Sequence, residues 1–154
     1  FSTEIMKDVT ERVMHCLEGT VENQGKIVIA TVEGDTHDIG KNIVVSTLRA
    51  SGFEVIDLGR EVPVTHIIET AEKYCVDFIA TSALLTSTLI EQKKLEVMLR
   101  GLGLRAKYTT MVGGAPCTPR WTRRIGADIY CEDAVEAVKM AKEAMEKKNK
   151  KNNK

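Results

Sequence analysis

The sequence has little of what would mark several function classes. Aromatic residues make up only 5% of its 154 positions, and its 22 basic residues are cancelled by 22 acidic ones. Such a chain has neither the stacking platforms nor the charge excess that hold a phosphate backbone, so nucleic acid is not an expected partner. No run approaches the roughly 20 apolar residues that cross a bilayer, and the opening FSTEIMKDVTER is charged where a signal peptide is apolar. The chain therefore reads as soluble and cytoplasmic, with no membrane partner. Its cysteines, Cys16, Cys75, Cys117 and Cys131, are scattered and form no CxxC pair. That excludes a zinc knuckle or a thioredoxin-type site and predicts buried free thiols. The length suits one hydrophobic core.

What is present is an alternation. Short β-branched or apolar runs at 26–32, 53–59, 76–83, 106–114 and 127–130 alternate with amphipathic stretches at 40–51, 65–74, 88–100, 118–125 and 133–147. In the last of these, Ala134, Val135, Val138, Ala141 and Met145 repeat at helical spacing. Thr65 and Asp133 are the expected N-caps of their helices. Five strand–helix units joined by right-handed crossovers predict an α/β fold: a flavodoxin-like (Rossmann-like), doubly wound, five-stranded parallel sheet in the order 2-1-3-4-5. In that order a ligand crevice opens beyond the strand ends, between the first and third strands.

The two ends read differently. Residues 1–18 place Ile5, Met6, Val9, Val13, Met14 and Leu17 on one helix face. The chain opens on Phe1 rather than methionine, so an upstream portion is expected to have been removed; residues 19–25 form a linker and 26–147 the sheet domain. The tail at 148–154 has no apolar residue and is expected to fray as a disordered basic segment.

The chemistry concentrates where the first strand runs into Gly34, Asp35, Thr36, His37, Asp38, Ile39 and Gly40. A histidine in this loop can offer one ring nitrogen to a metal while the other donates to a carboxylate two residues earlier, which sets tautomer and basicity. Gly34 and Gly40 permit a tight path and close approach of a bulky ligand. Asp-x-His alone also describes an ordinary loop hydrogen bond, and no second or third ligand lies at zinc spacing: His15 and His66 fit helix surfaces. The third strand ends in TSALLTSTL, bringing Ser82, Thr86 and Thr88 to the same end of the sheet, and the fourth ends in Gly113 and Gly114. Hydroxyls and bare backbone can bond a buried polar ligand without adding bulk.

Asp35, His37 and Gly40, then Ser82 and Leu84, then Gly113 and Gly114 reproduce in order the DxHxxG, SxL and GG pattern of the cobalamin-binding fold. The chain resembles that family from Lys26 to Lys142, and GDTHDIGKNIV with DLGREVP resembles the corrinoid proteins of methyltransferase systems using methanol, methylamines or methoxylated aromatics, and the cobalamin module of methionine synthase. The resemblance implies cobalamin (methylcobalamin or a related corrinoid) held base-off and His-on. His37 would be the cobalt ligand, Asp35 its hydrogen-bond partner and Thr88 the hydroxyl continuing the relay, where the family more often has serine. Ser82, Leu84, Thr86, Gly113, Gly114 and Ala134 would line the nucleotide tail, with residues 34–40 below the corrin. It further implies a non-catalytic carrier that moves a methyl group from a donor-specific methyltransferase to an acceptor methyltransferase using tetrahydrofolate or a thiol, with a reductive activator of cobalt(II) as a third partner. The opening helix resembles the end of the helical cap that covers the upper corrin face; without the rest of the cap, a second copy in a homodimer is one way to cover that face. An adenosylcobalamin mutase module and a cobalamin-dependent sensor share the fold and are the alternatives.

Overall fold

The computed structural model describes residues 25 to 152 other than Asp38 and Ala115, with side chains of the last helix described to Lys147. The expected helix at 1–18, with His15 and Cys16, lies outside the described residues, as does the 19–24 part of the linker. Strands β1 (Lys26–Thr31), β2 (Glu54–Asp57), β3 (Phe78–Ser82), β4 (Thr109–Gly113) and β5 (Ile129–Cys131) alternate with helices α1 (Ile39–Ala50), α2 (Val64–Tyr74), α3 (Leu89–Gly101), α4 (Pro119–Ile125) and α5 (Ala134–Asn152). All strand pairs are parallel, in the expected order β2-β1-β3-β4-β5.

Every residue of β1 is buried, as a central strand covered on both faces requires. Its side chains divide by parity. Ile27 and Ile29 join Phe78, Ala80 and Met111 beneath Val45 and Leu48 of α1 and Ala137 and Ala141 of α5. Val28 and Ala30 join Ile79 beneath Ile67 and Ala71 of α2 and Leu95 and Leu99 of α3. A smaller cluster of Val112, Cys117 and Ile125 seats α4.

Several boundaries differ from expectation for local reasons. β2 stops at Asp57 because its side chain accepts the Gly59 N–H (2.9 Å) and turns the chain. The stretch expected to open the fourth strand instead begins with a 3₁₀ turn over Arg105–Lys107, whose last N–H bonds to the Leu104 carbonyl (3.0 Å). Thr65 does not cap α2: the helix has already begun at Val64, and the cap position is Pro63, whose carbonyl accepts from His66 and Ile67. Asp133 does cap α5, its Oδ1 accepting the Glu136 N–H at 2.8 Å. That helix runs on to Asn152, through most of the segment expected to fray. Nor are all the thiols buried: Cys117 is, Cys131 is half-buried, and Cys75 is exposed because it ends α2 in a left-handed conformation (φ 53°).

Candidate functional site

The strand register brings the three sequence motifs side by side. Thr31, the last residue of β1, pairs with Ser82, and Ser82 pairs with Gly113. The chain leaves β1 toward α1 on one face of the sheet and β3 toward α3 on the other, so the β1–α1 loop stands over the point where the connections diverge. Gly34 makes that loop's turn at φ +86°, a conformation that a side chain disfavours.

Asp35 is fully buried at this point. Its Oδ1 accepts the His37 N–H at 3.1 Å and lies 2.8 Å from His37 Nδ1. Its Oδ2 accepts the Leu84 N–H at 2.7 Å and the Thr88 hydroxyl at 2.8 Å. Burial pushes the carboxyl up, but the bonds from Leu84, His37 and Thr88 more than offset it and hold the group at about 2. Because an ionised carboxylate only accepts, Nδ1 of a neutral His37 must carry its proton, and Nε2 keeps the lone pair. The backbone of His37 is secured as well, its carbonyl accepting the Thr31 hydroxyl at 3.2 Å. The ring itself is 53% exposed.

Thr88 does not act as the side-chain cap of α3. Its Oγ1 lies 2.8 Å from Asp35 Oδ2 and 2.9 Å from the Leu85 carbonyl. One hydroxyl proton cannot serve both, and the charged carboxylate is the stronger acceptor. The added methyl of threonine is thus compatible with a bond to Asp35, and Thr88 is buried.

Beside the loop is a cavity of about 450 Å³ on the α1/α5 side of the sheet. Of the residues expected at a ligand, Gly40, Ser82, Leu84, Gly113, Gly114 and Ala134 line it. Gly34, Asp35, Thr36, His37, Ile39 and Thr86 do not; Thr36, Ile39 and Thr86 are exposed at the rim of the same sheet end, and Asp38 lies outside the described residues. Gly114 is obligatory, since a Cβ there would sit 1.8 Å from the Ala83 carbonyl oxygen. Gly40 differs, with nothing within 4 Å of the place its Cβ would take, which leaves room for an incoming group. Sequence reasoning passed over Lys41, Ile43, Tyr130, Cys131 and Asp133, which also line the cavity. Lys41 is buried although charged, with Nζ 2.6 Å from Asp57 Oδ1; a lysine in the first turn of a helix gives no signal of this.

The donor set matches one kind of metal. Among the described residues no three His, Cys, Asp or Glu side chains converge on one point, so His37 suits an ion that brings its other ligands with it. A corrinoid does so, and the cavity, lined by Gly40, Ser82, Gly113 and Gly114 among larger side chains, opens at the end of the sheet that carries the His37 loop. The B12 binding domain model matches residues 25–139. This chain belongs to that family. The chain is 45% identical over 140 residues to trimethylamine corrinoid protein 2 of Methanosarcina acetivorans, covering 89% of this chain and 64% of that protein. Among solved structures it is similar to the monomethylamine corrinoid protein of Methanosarcina barkeri (36% identity, TM-score 0.76, 88% of this chain and 63% of that one). It is also similar to a chain of the methanol:cobalamin methyltransferase complex of the same organism (32% identity, TM-score 0.77, 94% and 58%). The chain thus spans less than two thirds of the length of these relatives, and the ligand class of its B12-binding domain is cobalamin.

Proposed function

We propose that this chain is the cobalamin-holding part of a corrinoid protein that carries a methyl group between a donor-specific methyltransferase and an acceptor methyltransferase. The observation that carries the reading is His37: an exposed ring whose Nδ1 is held by the buried, ionised Asp35, leaving Nε2 to ligate cobalt. The likeness to methylamine corrinoid proteins and to a chain of a methanol:cobalamin methyltransferase complex supports carriage over the mutase and sensor alternatives.

When bound, the corrinoid supplies cobalt as the atom that accepts and gives up the methyl group. The residues of the chain provide the rest. His37 Nε2 would hold the cobalt, since Nδ1 is engaged by Asp35. Asp35 keeps the Nδ1 proton in place and raises the basicity of Nε2. Thr88 donates to the far oxygen of Asp35, so that the negative charge shared with His37 responds to the state of that hydroxyl. Ser82, Leu84, Gly113, Gly114 and Ala134, which line the cavity, would hold the nucleotide tail. The partners that fit this role would be an acceptor methyltransferase using tetrahydrofolate or a thiol and a reductive activator of cobalt(II).

The test is electron paramagnetic resonance of the cobalt(II) form. In protein labelled with ¹⁵N-histidine, each line of the axial-nitrogen splitting should change from a triplet to a doublet, and His37→Ala should abolish the protein-derived splitting. A triplet that survives the label places the cofactor's own base on cobalt and sinks the His-on assignment. Methyl transfer from the loaded protein to tetrahydrofolate or a thiol with an added methyltransferase supports carriage, whereas a requirement for an adenosyl ligand overturns it.

A further inference from the structure

On the side of the sheet opposite the cavity, Gln92 of α3 is fully buried. Its Nε2 donates to the carbonyls of Thr81 (3.2 Å) and Gly113 (3.3 Å). Its Oε1 accepts from the Trp121 indole (3.1 Å) and from the Cys117 thiol (3.5 Å). A primary amide has two N–H donors and two acceptor positions, and here all four are used. Rotating the amide by half a turn would aim its oxygen at two carbonyls and its N–H groups at two donors, so only one orientation is tolerated. Burial pushes the Cys117 thiol up to about 11, so at neutral pH it keeps the proton it donates.

The position of these bonds matters more than their number. Thr81 and Gly113 sit at the C-terminal ends of β3 and β4, in adjacent register rows. Just beyond the paired residues the strands are joined by the Ala83 N–H to Gly113 carbonyl bond (3.1 Å). Thr81, Ser82, Gly113 and Gly114 form part of the cavity wall on the other face. Two of these four are glycines and have no side chain to anchor the strand end. Gln92 therefore brackets the wall from behind and ties it to α4 through Trp121.

We propose that Gln92 is a positioning residue that sets the shape of the cavity for the nucleotide tail, and so the preference of this domain for a complete cobamide over a corrinoid lacking the tail. The proposal rests on the reading that the tail occupies this cavity. Without the amide, Thr81 and Gly113 each lose a donor, the Trp121 indole and Cys117 thiol lose their acceptor, and the Gly113 carbonyl keeps only its bond from the Ala83 N–H. A ligand without a tail does not use that wall.

The experiment is an absorbance titration of the full chain with hydroxocobalamin and with cobinamide, which has the same ring but no nucleotide. Wild type should favour cobalamin by roughly tenfold or more. Gln92→Met, which keeps length and removes all four bonds, should weaken cobalamin binding by about tenfold while cobinamide binding changes by less than about threefold. Trp121→Phe, which removes one of the bonds that orient the amide, should lower the ratio by about threefold. Trp121 is the sole tryptophan, so the indole N–H resonance of Gln92→Met apoprotein should also move. Equal losses for both ligands, or an unchanged ratio, overturn the role of Gln92. Should Gln92→Met fail to fold, the ratio in Trp121→Phe decides in the same way. A wild type that binds the two ligands equally removes the tail from the cavity and takes this inference with it; a wild-type preference that survives in the variants defeats the inference about Gln92 alone.

Discussion

Two buried carboxylates stand at opposite ends of the sheet and are treated in opposite ways. Asp35, at the C-terminal end, has no cation against it except the titratable His37, yet four short hydrogen bonds keep it ionised down to about 2. Glu96, toward the N-terminal end of β4, has a full ion pair with Arg105 (2.7 Å), yet burial pushes it up and the guanidinium only partly compensates. Arg105 spreads its charge further, over the carbonyls of Tyr108 and Gly126 and the Asp128 carboxylate. Convergent N–H and O–H donors at contact distance can thus keep a charge in the interior better than one opposite charge whose own hydration has been stripped. The device is deployed beside the exposed histidine, where ionisation fixes a tautomer, while the ion pair joins α3 to the loop before β4.

This contrast can be broken or sharpened experimentally. The largest effect should come from Gly114→Ala, because the new Cβ meets backbone at a strained φ of +125°. We expect a loss of about 3 kcal/mol or more in urea unfolding; a loss under about 1 kcal/mol would mean that the Ala83 contact is easily relieved. Next is the pH dependence. Lowering Asp35 from 3.8 to about 2 corresponds to about 2 kcal/mol of stability, present above pH 4 and lost as pH falls through 2. Asp35→Asn should remove that acid limb. Glu96 carries the opposite sign: its pKa is raised from 4.5, so its contribution is present below pH 4.5 and lost as pH rises through the native value. Glu96→Gln should remove a decline above pH 4.5, and differences of the same sign for the two variants across pH 2 to 7 would erase the contrast. The smallest effect is at Thr88. Thr88→Val should cost about 1 kcal/mol and raise the Asp35 pKa, followed by carboxylate NMR, while Thr88→Ser should cost less than half as much; equal costs would remove the hydroxyl from the account.

Much of this end of the sheet was legible in the sequence because its residues break local rules. An aspartate and a histidine inside a glycine-bounded loop, and paired glycines ending a strand, make little sense as packing, and they fall where the fold puts a crevice. Gln92 and Lys41 were not legible, because in a helix each looks like ordinary solvent-facing polarity; only the tertiary structure shows both buried, with partners 11 to 29 residues away in one case and 16 in the other. Cys75 was misjudged because thiols are usually buried, whereas its place was decided by the left-handed end of α2. Thr65 was misjudged by two residues, since Pro63 already occupies the cap position and the helix begins at Val64.

The double hold on His37 has a thermodynamic consequence. Its amide is bonded to Asp35 and its carbonyl to Thr31, so the main chain of the residue proposed as the cobalt ligand is already in one conformation. Its ring is steered by the bond at Nδ1. Capturing a large ligand through this side chain therefore freezes few additional torsions, and the entropic penalty of association falls mainly on the ligand's own tail.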